Sequence, residues 1–427
     1  MPRWSCDDAL MVERNWAGNV EYRSALIHAP SSLDALRQLV GQSPRLRVVG
    51  TRHSFNEIAD GDVLMSLDQL PDDVVVDPDR GAVTLNPAMT YGRLAGTLHA
   101  DHLALHNLAS LPHISVAGAI ATATHGSGDR FGNLATAVSA LDLLRSDGQI
   151  VHLDRSSADF AGAVVNLGSL GVVVRIQLDV EPAYDVTQHV FEGLAWDVLA
   201  DNFDAITAAG DSVSLFTTYA KAHVEQVWVK RRLPFRHSGV DVTHGLFGAR
   251  PAAVELHPIA GVPAENCTPQ LGVPGLWSER IPHFKMGFTP SSGDELQSEL
   301  FVARADALAA IGELRRLAGE LAPLMLISEV RTIAADSFWM SPHYERDTVA
   351  FHFTWRRDPP AVMRIVNRVE RALSDFAPRP HWGKLFTLDA STLAERYPRH
   401  ADFLDLLERF DPRHAFRSPW VDRFIAG

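Results

Sequence analysis

The Asp147-Gly148 pair restricts the fold more than any other feature of the chain. It sits between two apolar runs, Ala140-Leu141-Asp142-Leu143-Leu144 and Ile150-Val151-His152-Leu153. Asp-Gly supplies the positive backbone angles of a two-residue hairpin turn, so these runs read as adjacent antiparallel strands. A second hairpin reads from Val74-Val75-Val76, through Asp77-Pro78-Asp79-Arg80-Gly81, into Ala82-Val83-Thr84-Leu85. Ser31 and Ser32 can cap a helix with Leu33, Leu36, Leu39 and Val40 on one face. A strand follows at Arg45–Val49 and ends at Gly50. Tyr91, Leu94, Ala95 and Leu98 mark another helix, and Gly171–Leu178 a buried strand. A doubly wound parallel sheet needs regular strand–helix alternation, which is absent. The expected class is α+β.

The pattern changes around Glu181-Pro182. Strands are expected at Ser214–Tyr219 and Gln226–Lys230, then an irregular Pro/Gly-rich stretch from Gly245 to Pro274. Leu308, Ile311, Leu314 and Leu321 mark a helix. Strands at Leu324–Arg331 and Thr348–Trp355 come next, then a helix carrying Val362, Val366, Val369, Leu373 and Phe376. This reads as a second antiparallel sheet covered by helices. Pro378-Arg379-Pro380 introduces a tail of turns and short helices. The expected organisation is 1–180, 181–378 and 379–427, which 427 residues with 46% hydrophobic content can support as two cores.

With 52 acidic and 39 basic residues the formal charge is -13, which argues against nucleic-acid and anionic-membrane partners. Cys6 and Cys267 lie far apart, with neither a disulfide framework nor metal-ligand spacing; no metal is expected. The first residues lack the apolar core of a signal peptide, and no run approaches the roughly 20 apolar residues of a membrane span. The expectation is a soluble cytoplasmic protein acting as a monomer.

Two segments carry chemistry. In Val48-Val49-Gly50-Thr51-Arg52-His53-Ser54 a strand enters a Gly-led polar turn, which can point several N–H groups into one concavity and suit a diphosphate. With nineteen histidines in the chain, an ordinary strand–turn with a surface His carries the greater weight at this point. The second segment, Asn107–Gly128, is built almost entirely of small residues and ends Thr124-His125-Gly126-Ser127-Gly128. It lacks the Gly-Lys-Ser/Thr ending of a phosphate loop and the G-x-G-x-x-G spacing of a dinucleotide fold. It can admit the backbone close to an extended ligand, or it can be a packing seam.

Together the two segments resemble the diphosphate-binding loops of the vanillyl-alcohol oxidase family of flavoproteins. Asn15-Trp16-Ala17-Gly18-Asn19 and the late His381-Trp382-Gly383-Lys384 resemble its sugar-oxidising members. Leu108–Gly128, Ser328-Glu329-Val330-Arg331 and Phe351-His352-Phe353-Thr354 resemble its alditol-oxidising branch. The resemblance implies a two-domain fold of that type: an FAD-binding domain with two small sheets and helices, a substrate (cap) domain with a helix-covered antiparallel sheet, and a C-terminal segment returning to the flavin site.

It also implies roles. Val48, Val49, Gly50, Thr51, Arg52, His53 and Ser54 form the first FAD loop, with His53 bonded covalently to the flavin. Ser110, Ser115, Gly118, Thr122, Ala123, Thr124 and His125 line the FAD, and Val174 meets its adenine end. Some relatives carry a second flavin bond to a Cys in the second loop; this chain has none there, so a single linkage is expected. Ser110, Glu329, Arg331, Thr354 and Lys384 face the substrate, with His352 beside them. Lys384, Arg331, Glu329 and His352 form the expected catalytic set. His283, in the Pro282-His283-Phe284-Lys285 run, receives no role.

Side-chain alternation gives a separate check. In Leu324–Arg331, Glu329 and Arg331 fall on the face of Met325 and Ile327; in Val349–Trp355, His352 and Thr354 share one face. Polar pairs on one side of each strand suit a cavity wall, though Glu329–Arg331 alone reads equally as a surface ion pair, and most lysines are solvated. The implied reaction is FAD-dependent oxidation of the C1 hydroxyl of alditols such as xylitol and sorbitol to the aldose. O2 becomes hydrogen peroxide, reaching the flavin past the small Ala109. Arg331 and Lys384 stabilise the developing alkoxide, or a neutral Lys384 takes its proton. The rival is an aldonolactone oxidase or dehydrogenase on the same fold.

Overall fold

Ser32 caps the helix Leu33–Gln42 by accepting from the Ala35 N–H, and Leu36 and Val40 face inward. The computed structural model describes residues 13–234, 239–287 and 295–427; Cys6 lies outside them. The short strands Ile27–His28, Leu64–Met65 and Arg47–Val48 form a three-stranded parallel sheet. Only the last two residues before Val49 pair as a strand, so the expected Arg45–Val49 run is shorter than its composition indicates.

Both hairpins form. Val74–Asp77 pairs with Ala82–Leu85, and Val138–Leu144 with Ile150–Asp154. Val172–Asp179 lies between the two hairpins and closes a five-stranded antiparallel sheet. The helix Tyr91–Ala100 buries Leu94, Ala95 and Leu98 in the core beside this sheet. That core also receives Trp382, Phe386, Trp420 and Phe424 from the C-terminal residues.

The second sheet is nine-stranded and antiparallel. Its principal order is Arg250–Pro251, Asp185–Ala195, His223–Arg232, Ser212–Thr217, Met325–Ile333, Thr348–Arg356, Glu295–Ala303 and Arg379–Pro380, with Gly275–Leu276 pairing against Asp185–Ala195. Helices Trp196–Thr207, Ala307–Arg316 and Pro359–Ala372 cover one face and share one apolar cluster with it. The two longest strands that the sequence reading missed are Asp185–Ala195 and Glu295–Ala303. Both interleave polar residues with apolar ones, because only one face of the sheet meets the helices.

The alternation argument needs one correction. A bulge between Met325 and Ile327 shifts the register against Thr348–Arg356. Met325 therefore packs into the helix-covered cluster with Val330 and Trp355, while Ile327 packs with Phe216 and Trp228 across the sheet. Glu329 and Arg331 share the face of Ile327, not that of Met325. Among the described residues, no helix is long and apolar enough to cross a membrane.

Candidate active site

The polar face of the nine-stranded sheet closes one side of a cavity of about 560 Å3. Its other walls are the two small-residue loops. Val48, Gly50, Thr51, Arg52, His53 and Ser54 line it from the first, and Ser110, Ser115, Gly118, Thr122, Thr124 and His125 from the second. The loops touch: the Ser115 N–H donates to Thr51 Oγ1 at 3.2 Å. A Cβ on Gly50 would stand 2.3 Å from Ser115 Oγ, so glycine is needed for that approach. Ala123 is fully buried with φ 52°, a left-handed turn that ends the second-loop helix Val116–Ala121. Val49 is buried in the cluster of Val20, Tyr22 and Leu64, and its side chain faces away from the cavity.

Val174 does not line the cavity; it packs with Val48 against the cluster of Leu36, Val40 and Leu46. Its strand is the central one of the five-stranded sheet, and the face that carries Val174 meets the first helix rather than the ligand space.

His53 stacks on Trp16, with ring centroids 5.3 Å apart. Its Nδ1 is buried and lacks a hydrogen-bond partner among the described residues. Burial first, and then His113, pulls its pKa down to about 4, so the imidazole is neutral. A buried orphan nitrogen, two loops of small residues and a cavity of ordinary ligand size fit a dinucleotide such as FAD.

At the sheet end the polar groups converge on Glu299, which the sequence reading did not single out. Arg331 Nη2 donates to Glu299 Oε1 at 2.7 Å, and Lys384 Nζ to Glu299 Oε2 at 2.7 Å. His125 Nε2 stands 3.2 Å from the same carboxylate, whose side chain is wholly buried. Burial alone would push Glu299 up, but Lys384, Arg331 and His125 outweigh it and hold the carboxyl well below its usual range. Burial lowers the Lys384 pKa while Glu299 pulls it back. Lys384 Nζ also lies 2.8 Å from His352 Nδ1. Burial and then Lys384 bring His352 down to about 4, so it too is neutral. With Nδ1 facing an ammonium, its proton belongs on Nε2, 3.3 Å from Thr354 Oγ1. Arg331 Nη1 reaches Ser110 Oγ at 3.3 Å and so ties the sheet to the second loop.

Glu329 is held from the far side. His283 Nε2 lies 2.8 Å from Glu329 Oε1, and His283 Nδ1 lies 3.1 Å from the buried Lys230 Nζ. Arg331 Nε stands 3.6 Å from Glu329 Oε1. Burial opposes ionisation of Glu329, yet Arg331 and His283 hold its pKa far below the usual value. Glu329–Arg331 is thus a buried pair, not a surface one. His283, Lys230 and Glu299 were all missed. For Glu299 the signal existed, because Glu295, Gln297 and Glu299 alternate with Leu296 and Leu300 as a polar strand face.

Lys384 reaches this place through its turn. The His381 N–H donates to Glu299 O and the Leu385 N–H to Gln297 O, which stitches the segment along Glu295–Ala303. Asn56, three residues after His53, donates to the carbonyls of Trp382 and Lys384 at 2.8 and 2.7 Å.

Fold and site together define a flavin-dependent oxidase. Residues 25–154 match the FAD-binding domain family, and residues 298–424 match the D-arabinono-1,4-lactone oxidase family. The chain is 46% identical over 417 residues to the alditol oxidase of a Streptomyces species, covering 97% of this chain and 99% of that one. It is 27% identical to the L-gulono-1,4-lactone dehydrogenase of Mycobacterium tuberculosis, covering 96% and 98%. In structure it is similar to cholesterol oxidase from Brevibacterium sterolicum, with a TM-score of 0.77 at 12% identity over 97% and 96% of the chains, a likeness of fold. The chain belongs to the vanillyl-alcohol oxidase family, together with alditol oxidase.

Proposed function

We propose that this protein oxidises the terminal C1 hydroxyl of alditols such as xylitol and sorbitol to the aldose, with O2 reduced to hydrogen peroxide, and that its FAD is held by a single covalent bond to His53. The observation that carries the reading is the buried set of Arg331, Glu299, Glu329, His352 and Thr354 on one sheet face at the cavity, with Lys384 brought against Glu299 by its turn. When bound by the two loops, FAD would supply the two-electron acceptor for the carbinol carbon and the route of those electrons to O2.

The residues supply the rest. An alcohol is a weak acid, so a site that oxidises it must stabilise the negative charge developing on its oxygen. Arg331 and Lys384 are the fixed cations for that oxygen, preorganised by Glu299 at 2.7 Å from each. Glu299 favours the charged form of Lys384 against the burial that lowers its pKa, which supports the role of fixed cation; a neutral Lys384 would instead take the hydroxyl proton. Glu329 accepts from a further hydroxyl of the polyol, while His352 Nε2–H and Thr354 contact others. Ser110, bonded to Arg331, borders the same space. A site built from paired donors and acceptors rejects chains that leave them unsatisfied. The neutral His53 imidazole, with its free Nδ1, carries the lone pair that a covalent link requires.

The test is anaerobic mixing with xylitol followed by admission of air. Bleaching of the flavin band, then rapid recovery with peroxide release, supports the proposal; slow recovery indicates a dehydrogenase. The match of residues 298–424 to a lactone oxidase family makes a lactone the necessary competitor. Sorbitol, glycerol and gulonolactone complete the panel, and faster turnover of the lactone would overturn the alditol assignment.

A further inference from the structure

Lys230 is a lysine with 1% exposure, on the strand His223–Arg232. Its ammonium donates to the carbonyls of Arg280, Ile281 and Pro282 at 2.8, 2.6 and 3.0 Å and lies 3.1 Å from His283 Nδ1. Thr268 fastens the same loop, its hydroxyl donating to Pro282 O at 2.7 Å and its N–H to His283 O at 2.9 Å. Phe216 and Trp228 pack their rings edge-on against His283. The His283 N–H then donates to Ser110 O at 3.2 Å. A buried cation is costly to keep unless it is well paired. Here it closes a loop that touches both the second FAD loop and the sheet.

We infer that Lys230 and His283 form a positioning pair that orients the Glu329 carboxylate as an acceptor for a secondary hydroxyl of the substrate, and so set selectivity for polyols over simple diols. The inference rests on the alditol reading above. Its logic is one of proton placement. Lys230 Nζ, 3.1 Å from Nδ1, and the ionised Glu329 beside Nε2 both favour the imidazole proton on Nε2. That N–H points at Glu329 Oε1, 2.8 Å away, and fixes the carboxylate plane. Among the described residues nothing donates to Glu329 Oε2, and Glu329 lines the cavity. Oε2 is therefore the oxygen left for a ligand hydroxyl. Neither Lys230 nor His283 touches the reacting carbon in this scheme; both act through Glu329.

The experiment compares xylitol with 1,2-pentanediol, which lacks the further hydroxyls, in the flavin-loaded protein. Lys230→Met and His283→Phe should each raise KM for xylitol about tenfold while kcat at saturation stays within about threefold, since one oriented hydrogen bond is lost and the reacting centre is not. Turnover of 1,2-pentanediol should not change. His283→Gln retains an amide N–H near the Nε2 position and should restore the discrimination. Because a glutamine amide has no tautomer to fix, adding Lys230→Met to it should cost no further selectivity, a non-additive cycle. Equal losses for both substrates, or additive losses in the cycle, would overturn the proposal. Should Lys230→Met fail to fold, His283→Phe against His283→Gln decides alone: equal selectivity in the two refutes the pair. Absence of polyol turnover in the unaltered protein removes the alditol reading itself, and is seen before any variant is made.

Discussion

Glu299 holds two cations at once, Arg331 and Lys384. Lys384→Ala should lower kcat by about 10²–10³-fold with the flavin still attached, as expected when a preorganised charge beside a developing oxyanion is lost. Single-turnover flavin reduction measures it. Glu299→Gln tests the charge state of Lys384. Glu299 raises the lysine pKa, so its removal lowers that pKa further. If Lys384 acts as a cation, activity falls as pH rises through its pKa, and the variant moves this alkaline limb to lower pH. If Lys384 acts as a base, activity rises with pH through the same range and the cation assignment is wrong. At this scale the sequence was legible wherever a residue sits in a distinctive string. His53, Arg331, His352 and Lys384 do, and the structure brings all four to one cavity. His283 and Lys230 do not. One lies in an irregular Pro/Gly-rich run, the other at the end of an apolar strand, and only tertiary packing joins them to Glu329.

At the scale of elements, hairpins and amphipathic helices were readable because their signals are local: a turn dipeptide, a cap, a 3.6-residue period. The bulge at Met325–Ile327 was not, since an extra residue in one strand is visible only against its partner. Close approach of the two cofactor loops yields a prediction. Gly50→Ala would drive a methyl group into Ser115 Oγ, so the variant should fold yet purify largely without flavin, checked by the ratio of flavin to protein absorbance. The helix Pro359–Ala372 carries a second. Glu370 is buried and accepts from the Thr387 N–H and hydroxyl, yet burial raises its pKa to about 7. An acid whose folded pKa is raised contributes stability that is complete below about pH 4.5 and is lost as pH rises to about 7. Glu370→Gln should remove that slope and leave the variant more stable than the parent at pH 8, by on the order of 2 kcal/mol. Thermal melting at pH 5 and pH 8 checks it, and parallel curves for the two proteins would refute it.

At the scale of the whole molecule, the site forms where three distant parts of the chain meet. The first loop supplies His53, the nine-stranded sheet supplies the charged face, and the turn at His381–Lys384 closes the gap between them. Such meetings leave no local mark in a sequence. They were legible here only through a resemblance spanning nearly the whole chain. His53→Ala separates attachment from assembly: the variant should lose colour from an acid-precipitated pellet while still binding flavin in solution. An acid-stable yellow pellet would mean that the link is elsewhere. Asn56 adds a consequence for biosynthesis. Its side chain holds carbonyls 326 and 328 residues further along the chain, only three residues from His53. While the polypeptide is still being made, the wall that Lys384 provides does not exist. A cofactor that needs this wall cannot be enclosed until the distant turn has been translated.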